Sequence, residues 1–121
     1  MHRPTTPENA RLYIAVREDL SPGLAAAQAV HAAFAFAAEH PRLVEPWQRD
    51  SQYLVIVSVP DEMALVALAS RAFGQGVALT TWHEPDMNDS ATALALQPGE
   101  NARRLCSSLP LHGRRRELIA V

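Results

Sequence analysis

The chain predicts an α/β fold of three layers, a mixed four-stranded β-sheet with helices on both faces. Three observations carry this expectation. Strand-like and helix-like segments alternate from Arg11 onward, and helical crossovers favour parallel pairing. The segment Pro22 to Glu39 is alanine-rich and apolar nearly all round, which suits a helix buried against a sheet. Two strand-like segments flank the polar stretch Glu84 to Ala91, so the last two strands can pair antiparallel across it.

Taken in order, Arg11 to Arg17 alternates Leu12, Ile14 and Val16 with Tyr13, Ala15 and Arg17, the period of a strand. Ser21 and Pro22 supply a helix N-cap and a proline at the first helical position. The helix should run to Glu39, where Pro41 halts it. Leu43 to Asp50 reads as a short helix or loop around Trp47. Tyr53 to Val59 is β-branched and continuous, the pattern of a buried central strand. Asp61 caps a second long helix, and Glu62 favours its positive end. Met63, Leu65, Val66, Leu68, Ala69, Ala72 and Phe73 form its apolar stripe, and Gly74 and Gly76 end it. Val77 to His83 and Thr92 to Leu96 are the remaining strands. Asn101 to Leu109 is a last amphipathic helix. One domain over residues 11–110 is expected, with a flexible lead-in over 1–10 and a basic tail over 111–121.

The 121 residues suit one domain, and an apolar fraction of 48% with 20% charged residues is ordinary for a globular chain. No apolar run approaches the roughly 20 residues needed to span a bilayer. The start is polar and proline-rich, unlike a signal peptide. The single cysteine, Cys106, can form no internal disulfide. These features point to the cytoplasm, with no membrane partner. Net charge is -2, which does not announce a nucleic-acid binder. Its distribution is uneven, because residues 101–121 hold five arginines against Glu117 alone. The chain contains no lysine, so no side-chain amine is available for catalysis or phosphate contact.

Four sets of residues are candidates for chemistry. Gln28 and His31 lie three apart on a largely apolar helix, so their side chains are neighbours. Either they line a wet cleft or backbone and loop groups satisfy them, since an unpaired buried polar group costs about 1–3 kcal/mol. Arg17 and Asp19 follow the first strand, where open α/β sheets gather functional groups; the alternative is a solvated turn with a local ion pair. His83, Glu84 and Asp86 follow the third strand and offer a proton shuttle and a general base, or simply a polar connection. Thr92 can donate a hydrogen bond to an oxyanion or merely favour a strand. Trp47 and Trp82 can stack on a base or pack in the core. Arg114 to Arg116 can meet phosphates or be a solvated end. No cluster has metal-ligand spacing.

In sequence order these pieces resemble the type II peptidyl-tRNA hydrolase family. The strand ending Arg17-Glu18-Asp19-Leu20 is followed by the turn Ser21-Pro22-Gly23. Next comes the helix motif Ala26-Ala27-Gln28-Ala29-Val30-His31-Ala32. Trp47 precedes the strand Tyr53 to Val59, Glu84-Pro85-Asp86 stands where the family has an Asp-Ala-Gly loop, and Thr92-Ala93-Leu94 leads to Pro98-Gly99. The resemblance covers Arg11 to Leu109 and is to a divergent, lysine-free bacterial member. It implies hydrolysis of the ester between a peptide and tRNA, or of a related acylated tRNA, in translation. It implies no metal or cofactor, and often a homodimer. It assigns catalysis to Gln28 and His31, with Asp19 as orienter, Glu84 or Asp86 as acidic partner and Thr92 as hydroxyl donor. Arg17, Ser21 and Gly23 fall on substrate-binding positions. The family's turn is longer and places lysines beside a glycine; here Pro22, Gly23 and Leu24 carry no cation. The competing expectation is therefore a catalytically inactive domain of this kind that binds tRNA or a protein partner.

Overall fold

A computed structural model describes residues 10–113. In chain order they form β1 (Arg11–Arg17), α1 (Pro22–Glu39), α2 (Pro41–Arg49), β2 (Tyr53–Val59), α3 (Glu62–Gly74), β3 (Leu79–Glu84), one 3₁₀ turn (Pro85–Met87), β4 (Ser90–Leu96) and α4 (Glu100–Cys106). The sheet order is β2-β1-β4-β3. β1 and β2 pair in parallel, and β4 runs antiparallel to both β1 and β3. This is the mixed four-stranded sheet that the sequence predicts.

The pleat of β1 builds both cores, because successive side chains point to opposite faces. Leu12, Ile14 and Val16 meet Ala25, Ala29, Ala32 and Phe36 of α1. Tyr13 and Ala15 share the other core with Leu65, Leu68 and Ala72 of α3 and Ala102, Leu105 and Cys106 of α4. Alanines on α1 let its backbone approach the sheet closely, while Phe36, fully buried, fills the remaining gap. Ser21 stands at the N-cap of α1, but its hydroxyl makes no capping bond; Pro22 occupies the first turn. Asp61 does cap α3, accepting the Ala64 N–H at 2.9 Å.

Several expectations need correction, strand bounds among them: β3 is Leu79–Glu84 and β4 starts at Ser90. β2 is an edge strand, not a central one. Its apolar run reads as central because its C-terminal half is covered twice, by α3 on one face and by Pro110–His112 along the free edge. Ser58 N–H donates to Pro110 O at 2.9 Å and His112 N–H to Ile56 O at 2.8 Å. The α3 stripe is narrower than predicted: Leu65, Leu68 and Ala72 are buried, whereas Met63, Val66 and Phe73 are exposed. Leu43 to Arg49 belongs to a helix that starts earlier, at Pro41, and ends one residue short of Asp50, since a proline suits a first helical turn. The last helix ends at Cys106 rather than Leu109.

Ala10 is buried and accepts the Ser51 hydroxyl; the rest of the expected lead-in and Arg114–Arg116 lie outside the described residues. Among those described, no helix is long and apolar enough to cross a membrane.

Candidate active site

Gln28 sits on the sheet side of α1 and is 2% exposed. A primary amide sealed in an apolar face must have both its ends engaged. Its Nε2 donates to Glu84 Oε1 at 3.0 Å, and its Oε1 accepts the Thr92 hydroxyl at 2.6 Å. The direction of this chain follows from charge. An ionised carboxylate only accepts, so the amide nitrogen must face Glu84 and its oxygen must face Thr92. The threonine proton is then committed to Gln28.

Glu84 ends β3 and caps the 3₁₀ turn, its Oε2 accepting the Asp86 N–H at 3.1 Å. Its main-chain oxygen accepts the Asp89 N–H at 2.9 Å. Asn88 and Asp89 both take positive φ, 56° and 58°, and turn the chain back into β4; asparagine and aspartate tolerate this region better than most residues. The Asp86 N–H, and after it the Gln28 amide, hold the Glu84 carboxyl below its usual value of 4.5. It is thus an anion with its lone pairs in use.

Thr92 reaches Gln28 because β4 is irregular here. Trp82 pairs with Ala93 and His83 with Ala91, which leaves Thr92 as an extra residue at a register shift. Its neighbour Ala91 is held at both ends of its peptide units: Glu62 Oε2 accepts its N–H at 2.8 Å, and Arg17 Nη1 donates to its carbonyl at 3.2 Å. Arg17 also grips Asp19 in a two-pronged pair, 2.9 Å on each arm. That pair keeps the Asp19 carboxyl below its ordinary range.

His31 points the other way. It is exposed, and its ring stacks on Trp82 with centroids 4.6 Å apart and planes 12° apart. The Trp82 Nε1–H in turn leans on Glu84 Oε1 at 3.4 Å. His31 adds to the charge environment that lowers the Glu84 pKa.

A family model described as peptidyl-tRNA hydrolase PTH2 matches residues 10–108. The chain belongs to that family. A comparison with curated proteins finds no match.

Within this PTH2 member the residues singled out from sequence fall into three groups. Gln28, Glu84 and Thr92 form one bonded network, and His31 joins it through Trp82. Arg17 and Asp19 form a second unit that meets the first at adjacent residues, Ala91 and Thr92. Ser21 and Gly23 lie exposed at the start of α1, and a Cβ at Gly23 would meet open space. Asp86 touches the network by its backbone, leaving its side chain exposed. His83 is exposed too. Trp47 packs against the core between α1 and the sheet, and its Nε1–H donates to Tyr53 O at 2.7 Å.

Two residues gain weight from the structure. Glu62 reads in sequence only as a helix-start acid, and its grip on Ala91 depends on where β4 lies. Trp82 reads in sequence as either a stacking ring or core, and its place one residue before His83 and two before Glu84, at a strand end, is the signal for stacking. Among the described residues, no group of three or more His, Cys, Asp or Glu lies where it could hold a metal ion.

Proposed function

We propose that this lysine-free member hydrolyses the ester of peptidyl-tRNA, or of a related acylated tRNA. The products are free tRNA and a peptide carboxylic acid. One observation supports this above all. A buried chain of anion, amide and hydroxyl, Glu84–Gln28–Thr92, anchors an exposed imidazole through Trp82. Such a rigid support beneath an accessible histidine suits proton transfer at a strand end.

In this reading a water attacks the ester carbonyl, and His31 takes its proton. Glu84 supports the imidazole from below through the Trp82 ring. Collapse of the tetrahedral intermediate breaks the bond to the ribose oxygen, which receives the proton back from His31. Gln28 and Thr92 act by positioning: their hydrogen bonds fix Glu84, and hence Trp82 and His31. Asp86, with its side chain in solvent beside Glu84, is the acid available to orient the water. Asp19 holds Arg17 and, through it, the Ala91 peptide. On the substrate side, Ser21 and Gly23 leave the first turn of α1 open to a phosphate. Arginine supplies the cation that lysine gives elsewhere in the family.

The test is release of tRNA from a defined peptidyl-tRNA by purified protein. The rate should fall at least tenfold in His31→Ala, about 1.4 kcal/mol. Binding of tRNA without any turnover would replace this reading with that of a silent binding domain, the alternative that the missing lysines favour.

A further inference from the structure

We infer that the outward face of His31, backed by Trp82, is a stacking seat for the terminal nucleobase of an RNA strand. The identity of that base rests on the hydrolase reading; the stacking seat rests on geometry.

Trp82 is partly buried and packs against the core that α1 forms with the sheet. Its indole N–H is tied to Glu84. The ring is therefore fixed from below. His31 lies nearly parallel on it, with planes 12° apart, so one imidazole face is covered while the residue remains exposed. A ring pair of this kind presents a flat, pre-ordered aromatic surface to solvent. Phe34, one turn further along α1, is 74% exposed, and residues three apart on a helix are surface neighbours. Their spacing brings an exposed imidazole and an exposed phenyl to neighbouring places on the outer surface of α1, the floor of the seat.

The ligand class follows from shape. Bases stack on aromatic side chains through a π-face that every base possesses. A compact aliphatic group would use the flat face poorly. The floor also adjoins the Glu84–Gln28 network through one shared residue, Trp82. A nucleoside whose base lies on His31 thus keeps its ribose oxygens close to that network. In an acylated tRNA, the ribose bearing the ester is that of the terminal adenosine. The seat would place this ester beside His31, so that His31 both carries the base and meets the reacting water.

The experiment reads binding apart from turnover. The imidazole C–H proton resonances of His31, assigned by their loss in His31→Ala, are followed while adenosine 5′-monophosphate is added. The base's ring current should move them saturably, with a midpoint on the order of millimolar. His40, His83 and His112 serve as internal references. Ribose 5-phosphate, which lacks the base, should leave His31 where it was. If the His31 resonances stay still with the nucleotide, or move equally with ribose 5-phosphate, the seat does not exist. A kinetic arm follows with peptidyl-tRNA: Phe34→Ala should raise KM about fivefold with kcat unchanged. A protein that shifts with the nucleotide but shows no turnover keeps the seat and loses the hydrolase reading. One that turns over with unmoved His31 resonances does the reverse.

Discussion

Gln28 and Thr92 share a 2.6 Å hydrogen bond across 64 residues of sequence, with both side chains sealed from solvent. Thr92→Val keeps the shape and removes the hydroxyl, leaving Gln28 Oε1 buried without a donor. A loss of about 1–3 kcal/mol is expected, read from urea unfolding. Combining it with Gln28→Met should cost less than the two single changes together, by at least about 0.5 kcal/mol. Strict additivity would mean that the bond does not couple them.

The pH dependence of stability should carry the signature of Glu84. Its carboxyl is held below 4.5 by the Asp86 N–H and the Gln28 amide. A carboxyl depressed on folding stabilises above its unfolded pKa, and that contribution is lost as pH falls through the lower folded value. The melting-temperature gap between the native chain and Glu84→Gln should therefore be widest near neutral pH and narrow on acidification below about pH 4. A gap that stays constant down to about pH 3 would contradict this.

Glu62 should matter more than a helix-start acid does. Ala91 is 2% exposed and its N–H is held by Glu62. Glu62→Ala should destabilise by about 1–3 kcal/mol and speed exchange of the Ala91 amide proton. Glu62→Gln keeps an acceptor and loses only a favourable charge at the helix start, about 0.3–1 kcal/mol. Equal losses from the two substitutions would show that the hydrogen bond contributes nothing.

Phe34 and Phe36, two residues apart on α1, should behave as opposites. Phe36 is wholly buried and Phe34 is 74% exposed. Phe36→Ala leaves a cavity between α1 and the sheet, with an expected cost of about 3–5 kcal/mol. Phe34→Ala should stay within about 0.5 kcal/mol. Similar melting temperatures for the two variants would overturn the packing of α1 described above.

The sequence alone carries the local elements, since their causes are local. The alternation in Arg11–Arg17, the Pro22 start and Pro41 stop around α1, and the Asp61 cap each act within a few residues. It also marked Gln28, because an amide in an alanine-rich helix demands a partner. Which partner it takes was decided by tertiary structure. Strand order is set by how sheet faces are covered, and a β-branched run reads alike in a central strand and in an edge strand overlaid by a later segment, so the place of β2 is not legible locally. Gln28 and His31 share a face by spacing, yet they straddle the boundary between core and solvent, which only docking of α1 on the sheet defines. Glu62 became a clamp and Trp82 a platform for the same reason: each acts on a residue or ring that folding alone brings alongside.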